Sequence, residues 1–316
     1  MRKRRHHQRQ RQCKAQHETD QTDLSQITDH GADKIRFART VNSSPDRVTF
    51  SRIRLRFRNR RSFLLARADY TPTMTLKPSR LETFSTWLSL PVYVWQGLQV
   101  RRKSIRMPPP PHRGVIEAPG KGETLRLLLI GDSSAAGVGV DSIAESLGGL
   151  LPELLAKATG RPVRMTIAGM NSATSAQIRD HVVPHVEPRD FDFVLLNIGT
   201  NDAKNFHSGK RFCRDFGTLL YALRARFPAA RIIWSGVLDL RHVPALPPAL
   251  GKILGIRSRL INHNGRVLCQ ERGAIAPEPE WDVVPENFSR DGFHASQRGY
   301  RQWAENLAKF ILTLEA

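Results

Sequence analysis

The sequence predicts an α/β domain built on a parallel sheet with helices on both faces. Three observations carry this reading. Short apolar runs recur along the second half of the chain, stretches of helical period separate them, and polar clusters follow two of the runs at their carboxyl ends. Leu125 to Ile130 (LRLLLI) is a short, almost continuous apolar run, as expected of a strand buried on both faces. Val163 to Ala168, Phe193 to Ile198 and Arg231 to Val237 have the same character. In residues 211–227, Phe212, Phe216, Leu219, Leu220, Leu223 and Phe227 fall on one helical face. A last helix over 297–314 carries Tyr300, Trp303, Leu307, Phe310 and Leu314 along a stripe, most simply a core face. Alternating strand and helix argues for parallel strands with crossover helices. Ligands of such sheets bind outside the carboxyl ends of the strands.

The chain ahead of this region reads differently. Residues 1–73 hold 18 Lys+Arg against 7 Asp+Glu and show no sustained helical or strand period. They are expected to be a solvated, disordered basic arm. The opening MRKRRHHQRQRQ lacks the apolar core of a secretory signal, and Met74 opens a segment whose composition suits a translation start. Residues 74–122 form a second region. Within it, 83–100 (TFSTWLSLPVYVWQGLQV) is apolar and is followed at once by Arg101, Arg102 and Lys103. Pro91 interrupts it, and it is short for a membrane span. Trp87, Tyr93 and Trp95 beside that basic cluster suit a peripheral membrane contact through 83–103, and a helix packed on the main domain suits them equally. Pro108 to Pro111 make a stiff connector. The main domain is expected to span 123–316, beginning near Glu123.

The cysteines, Cys13, Cys213 and Cys269, suit neither a disulfide framework nor a metal pair, so free thiols and a cytoplasmic location are expected. His181 and His185 stand four apart, but Pro184 lies between them and no third ligand is evident. No metal or cofactor is expected.

The polar clusters carry the chemistry. Gly131-Asp132-Ser133-Ser134-Ala135-Ala136-Gly137 follows the first run, Gly199-Thr200-Asn201-Asp202 the third, and Asp291-Gly292-Phe293-His294 precedes the last helix. A serine hydroxyl needs a neighbouring base, and Ser133 sits in a glycine-rich strand-to-helix turn that can present it. His294 is the natural base, because an unperturbed imidazole titrates near neutrality. Asp291, three residues earlier, can reach the ring and fix its tautomer. Asn201 can offer its amide to a developing oxyanion.

In this order and placement the clusters resemble the SGNH, or GDSL, hydrolases over residues 125–312. GDSSAAGVGV is similar to the first block of that family, IGTND to the third and DGFHASQRGY to the fifth. The resemblance implies a flavodoxin-like, three-layer α/β/α fold with a parallel sheet of about five strands. It implies metal-free hydrolysis of esters or thioesters through an acyl-enzyme on Ser133, with Asp291 and His294 as catalytic partners. It also implies an oxyanion hole from Ser133, Asn201 and a second-block glycine. Here that block reads Ile167-Ala168-Gly169-Met170-Asn171-Ser172-Ala173-Thr174, which puts Ser172 at the glycine position and leaves Gly169 as the alternative donor.

Two rivals from other classes are weaker. A dinuclear metallophosphoesterase needs histidines beside its Gly-Asp and Gly-Asn turns, and these turns have none. A basic binding module without catalysis rests on the net charge of +20, but basic residues interleave with aromatics chiefly at 92–106, and no specific nucleic acid is expected. The substrate is expected to be a small-molecule or lipid-like ester, with carbohydrate O-acetyl esters and thioesters as alternatives. Residues 241–272, with Leu250 to Leu254, are expected either to wall an acyl pocket or to pack on the sheet.

Overall fold

The computed structural model describes residues 77–277 and 283–315. The basic arm and Met74 lie outside these residues. The five strands are β1 (Val115–Ala118), β2 (Leu125–Gly131), β3 (Val163–Gly169), β4 (Phe193–Asn197) and β5 (Arg231–Trp234). The helices are α1 (Arg80–Leu88), α2 (Leu90–Lys103), α3 (Leu147–Thr159), α4 (Ser175–His181), α5 (Thr200–Lys204), α6 (Gly209–Arg226), α7 (Pro248–Glu271) and α8 (Gln297–Glu315). The sheet order is β1-β3-β2-β4-β5, with β2 to β5 parallel and β1 antiparallel on the edge of β3.

Strand alternation sorts the core into two layers. Leu128, Ile130, Val194, Leu196 and Trp234 face α4, α6 and α7. Leu127, Leu129, Phe193, Leu195 and Ile233 face α3 and α8. The fold is therefore the expected three-layer α/β/α arrangement. After β2 the chain winds first to β3 and then to β4 on the other side of β2, so the switch point lies at the carboxyl end of β2.

Several boundaries differ from the expectation. The sheet starts at Val115, ahead of Glu123, because β1 follows the prolines directly and pairs with β3 over Val115–Ala118. β5 stops at Trp234 and does not run on to Val237. Gly236 adopts φ +71°, and Val237 N–H turns to Asn262 Oδ1 of α7 at 2.8 Å. Pro91 interrupts no helix: it lies in the first turn of α2, where its missing N–H costs nothing. His181 ends α4 while His185 sits in the following 3₁₀ turn, so the two do not share one helical face.

The 83–100 segment forms a helical pair. α1 starts with a reciprocal cap between Ser79 and Glu82. The inner side packs on the domain. Trp87 and Tyr93 meet Phe206 at ring separations of 5.8 and 4.3 Å, Gln96 Oε1 accepts from Leu250 N at 3.0 Å, and Arg259 pairs with Glu82 at 2.9 Å. The connector is anchored too, since Met107 is buried against Ala136 and Val138. Among the described residues, no helix is long and apolar enough to cross a membrane.

Candidate active site

β2 delivers the first element of the site. A Cβ on Gly131 would lie 1.9 Å from Asn197 O, so only glycine lets β2 close on β4 at this point. Asp132 N then donates to Asn197 O at 2.9 Å, and the chain turns at Ser133. Asp132 Oδ1 accepts from Ser134 N at 3.0 Å and Ser134 Oγ at 2.9 Å, which caps the turn. Tyr300 of α8 donates to Val138 O at 2.8 Å and ties the loop to the last helix.

The second element is the turn before α8. Phe288 and Ala295 form an antiparallel bridge that brings Asp291 and His294 back on one another. Asp291 Oδ1 accepts from Ser289 Oγ at 2.8 Å, Phe293 N at 2.9 Å and His294 N at 3.0 Å. Its Oδ2 meets His294 Nδ1 at 2.6 Å, and His294 Nε2 lies 3.1 Å from Ser133 Oγ. Burial works to raise the Asp291 carboxyl. The hydrogen bonds from the His294 ring and backbone and from Phe293, with the imidazole charge, outweigh it and hold the group well below the usual carboxylate range. Asp291 therefore stays an anion and an acceptor. Gly139, at φ +117°, fixes the relative position of the two turns, because a Cβ there would lie 2.2 Å from Ala295 O.

Asn201 enters from α5, just past β4, and is buried. Its Nδ2 donates to Ala173 O at 2.9 Å and stands 3.4 Å from Asp132 Oδ2. One amide hydrogen is thus engaged, and the second faces a partner at weak range. The contact with Ala173 also brings the Ser172 loop to Asn201. Ser172 has φ +63°, a left-handed conformation in which a side chain costs about 1–2 kcal/mol. That explains why the resemblance leads one to expect glycine here. Gly169 has a packing reason to be glycine: a Cβ on it would lie 2.3 Å from Ala136 N, so the missing Cβ lets β3 approach the turn at Ser133.

Three features were not legible in the sequence. The buried Asp202 accepts from Ser175 N and Oγ, both at 3.0 Å, and meets His207 Nδ1 at 3.0 Å, which braces α5 against α4. Lys204 lies 4.7 Å over the Phe293 ring. Burial pulls its ammonium below its ordinary pKa, against the opposing charges of Asp132 and Asp291. Asp132 is raised, chiefly by burial, with the Ser134 donors opposing.

A cleft of about 580 Å³ opens at Ser133 and His294. Its apolar wall comes from Leu238, Val283, Phe293, Trp303, Leu307 and Phe310. The wall is therefore not 241–272: Leu250, Ile253 and Leu254 are buried against the sheet, the second of the two readings. The stripe on α8 is also more than core. Tyr300 is buried in the core, while the partly exposed Trp303 and Phe310 line the cleft with Leu307.

A serine, a histidine and an aspartate linked in that order, at the carboxyl ends of a parallel sheet, form the arrangement that serine hydrolases use. Comparison with known proteins narrows the class. Residues 129–302 match the GDSL-like lipase/acylhydrolase family, and the chain belongs to that family. It is 27% identical over 191 residues to the GDSL-like esterase Rv1075c of Mycobacterium tuberculosis. That match covers 58% of this chain and 60% of the relative. Among solved structures, it is similar to the psychrotrophic esterase EstA from Pseudoalteromonas sp., with TM-score 0.49 and 16% identity over 60% of this chain and 97% of that one. TesA gives TM-score 0.48 and 21% identity over 58% and 95%.

Proposed function

We propose that this protein is a serine esterase that cleaves carboxylic esters through an acyl-enzyme on Ser133. The observation that carries the reading is the unbroken chain from Asp291 through His294 to Ser133 at the cleft. His294 Nε2 takes the Ser133 proton as Oγ attacks the ester carbonyl, and Asp291 holds the ring so that Nε2 is the free base. The carbonyl oxygen becomes an oxyanion. Ser133 N–H, Ser172 N–H and the second amide hydrogen of Asn201 are its donors in this scheme. Protonated His294 passes its proton to the departing alcohol. Water, deprotonated by His294, then releases the acid and restores Ser133.

The apolar wall supports an acyl chain of several carbons, because an acetyl group would leave most of a 580 Å³ cleft unfilled. This favours a lipid-like ester over a carbohydrate O-acetyl ester, and a thioester with the same acyl chain would fit the same wall. The test is Ser133→Ala with a panel of p-nitrophenyl esters and a fluorophosphonate probe. The expected result is loss of hydrolysis and of labelling in a folded variant. Hydrolysis at the unaltered rate by Ser133→Ala would overturn the assignment.

A further inference from the structure

The α1–α2 pair carries an unusual amount of apolar surface on the side turned away from the domain. Leu81, Phe84 and Leu88 recur at i, i+3 and i+7 on the outer face of α1, and Leu81 and Leu88 are 78% and 69% exposed. On α2, Val94, Trp95 and Leu98 are exposed, Trp95 to 61%. The inner faces are already satisfied through Trp87, Tyr93 and Val100. The outer stripes are therefore surplus to packing. An apolar patch of this kind on a folded domain marks a contact surface.

Charge identifies the occupant. Residues 77–106 carry Lys77, Arg80, Arg101, Arg102, Lys103 and Arg106 against a single acid, Glu82, which is already paired with Arg259. Exposed Arg101, Arg102 and Lys103 follow the last apolar turn of α2 directly. An apolar face, an interfacial tryptophan and a flanking basic cluster match the headgroup region of an anionic bilayer. The chain's own residues 1–73 are also basic and would be repelled by this cluster.

We propose that the outer face of the α1–α2 pair docks on an anionic lipid surface. The dock is coupled to the site by direct contacts. Tyr93 donates its hydroxyl to Lys204 O and its ring packs on Phe206, so α2 grips the α5 segment that lines the cleft with Thr200 and Asn201. The pair therefore stands between a docked bilayer and the element that borders the cleft. The docking itself does not depend on the esterase reading, and its test reads binding separately from catalysis.

The experiment is co-sedimentation of the full chain with vesicles of phosphatidylglycerol and phosphatidylcholine, and with vesicles of phosphatidylcholine alone, at low and high salt. Binding to the anionic vesicles, weakened by salt, is expected. Replacing Trp95 and Leu98 by Ser, or independently Phe84 and Leu88 by Ser, is expected to weaken it roughly tenfold or more. Replacing Arg101, Arg102 and Lys103 by Gln is expected to weaken it roughly a hundredfold. Hydrolysis of a soluble short-chain ester should stay unchanged in these variants. Three results would overturn the proposal. The full chain could fail to sediment with anionic vesicles. Both serine pairs could bind like the unaltered chain, which would assign binding to the N-terminal arm. Or the chain could be a dimer in solution that the serine pairs split, which would assign the patch to a second copy.

Discussion

Replacing Asp291 by Asn isolates the contribution of one charge to the site. Oδ1 of Asp291 accepts three donors, Ser289 Oγ, Phe293 N and His294 N, while Oδ2 faces His294 Nδ1 at 2.6 Å. An asparagine must keep its oxygen toward the three donors, because turning the amide over would set N–H groups against two backbone N–H groups. Its Nδ2 then faces His294 Nδ1 and donates to it. That fixes the neutral ring with its proton on Nε2, so Nε2 points a proton at Ser133 and cannot accept one. Loss of the correct tautomer at a site of this kind lowers kcat about 10⁴-fold, which is about 5.4 kcal/mol of transition-state stabilisation at 1.36 kcal/mol per decade. The three donors keep their acceptor, so the fold should survive. The assay is kcat on a p-nitrophenyl ester, with thermal unfolding of the same sample. A fall in kcat of less than tenfold, in a variant that unfolds like the unaltered protein, would refute the tautomer argument. The acid limb of stability provides a second reading. Asp291 is depressed in the folded state, so its contribution is full above the unfolded carboxylate pKa and fades as pH falls through the folded value. The Asn variant should therefore lose less stability on acidification.

Asn201→Ala should lower kcat by about 10²–10³ with a smaller change in KM, as measured by steady-state kinetics; equal loss in KM alone would remove Asn201 from the oxyanion. Ser172→Gly should raise stability in urea titration by up to about 1 kcal/mol, since relief of the left-handed strain exceeds the added freedom of glycine in the unfolded chain. It should leave kcat close to unaltered, because the backbone N–H remains. Along a series of acyl chains, kcat/KM should rise by up to about fourfold per methylene until the cleft is filled, as about 0.8 kcal/mol per buried CH₂ requires. Phe310→Trp should move that optimum to shorter chains.

The legible parts of the fold were those whose signal is local. β2 and β4 are nearly continuous apolar runs, because both faces of a central parallel strand are covered. The turns at Ser133 and Asn201 were legible for a related reason: polar, glycine-rich segments directly after such runs stand out, and the topology brings them to one edge. β1 was hidden because Val-Ile-Glu-Ala has too few residues to show a period and is fixed only by its pairing with β3. The end of β5 was set by Asn262 on a distant helix, which local sequence cannot reveal. The brace from Ser175 to Asp202 and the burial of Lys204 are likewise contacts through space. The cleft wall on α8 was not legible because an apolar helical stripe looks the same whether it meets a sheet or an open cleft, as Trp303 and Phe310 do.

The short antiparallel β1 also bears on solubility. An uncovered strand edge offers unpaired N–H and C=O groups to any passing chain. β1 takes up that side of β3, with Glu117 and Arg164 paired across the β1–β3 seam at 2.9 Å, and its own outer side is only four residues long. The opposite edge is blunted as well: Ile275 donates to Ile232 O and accepts from Trp234 N, both at 2.8 Å. A chain trimmed to begin at Glu123 would keep Ser133, Asp291 and His294 and lose the guard on β3. Such a chain should stack edge to edge and come out of solution.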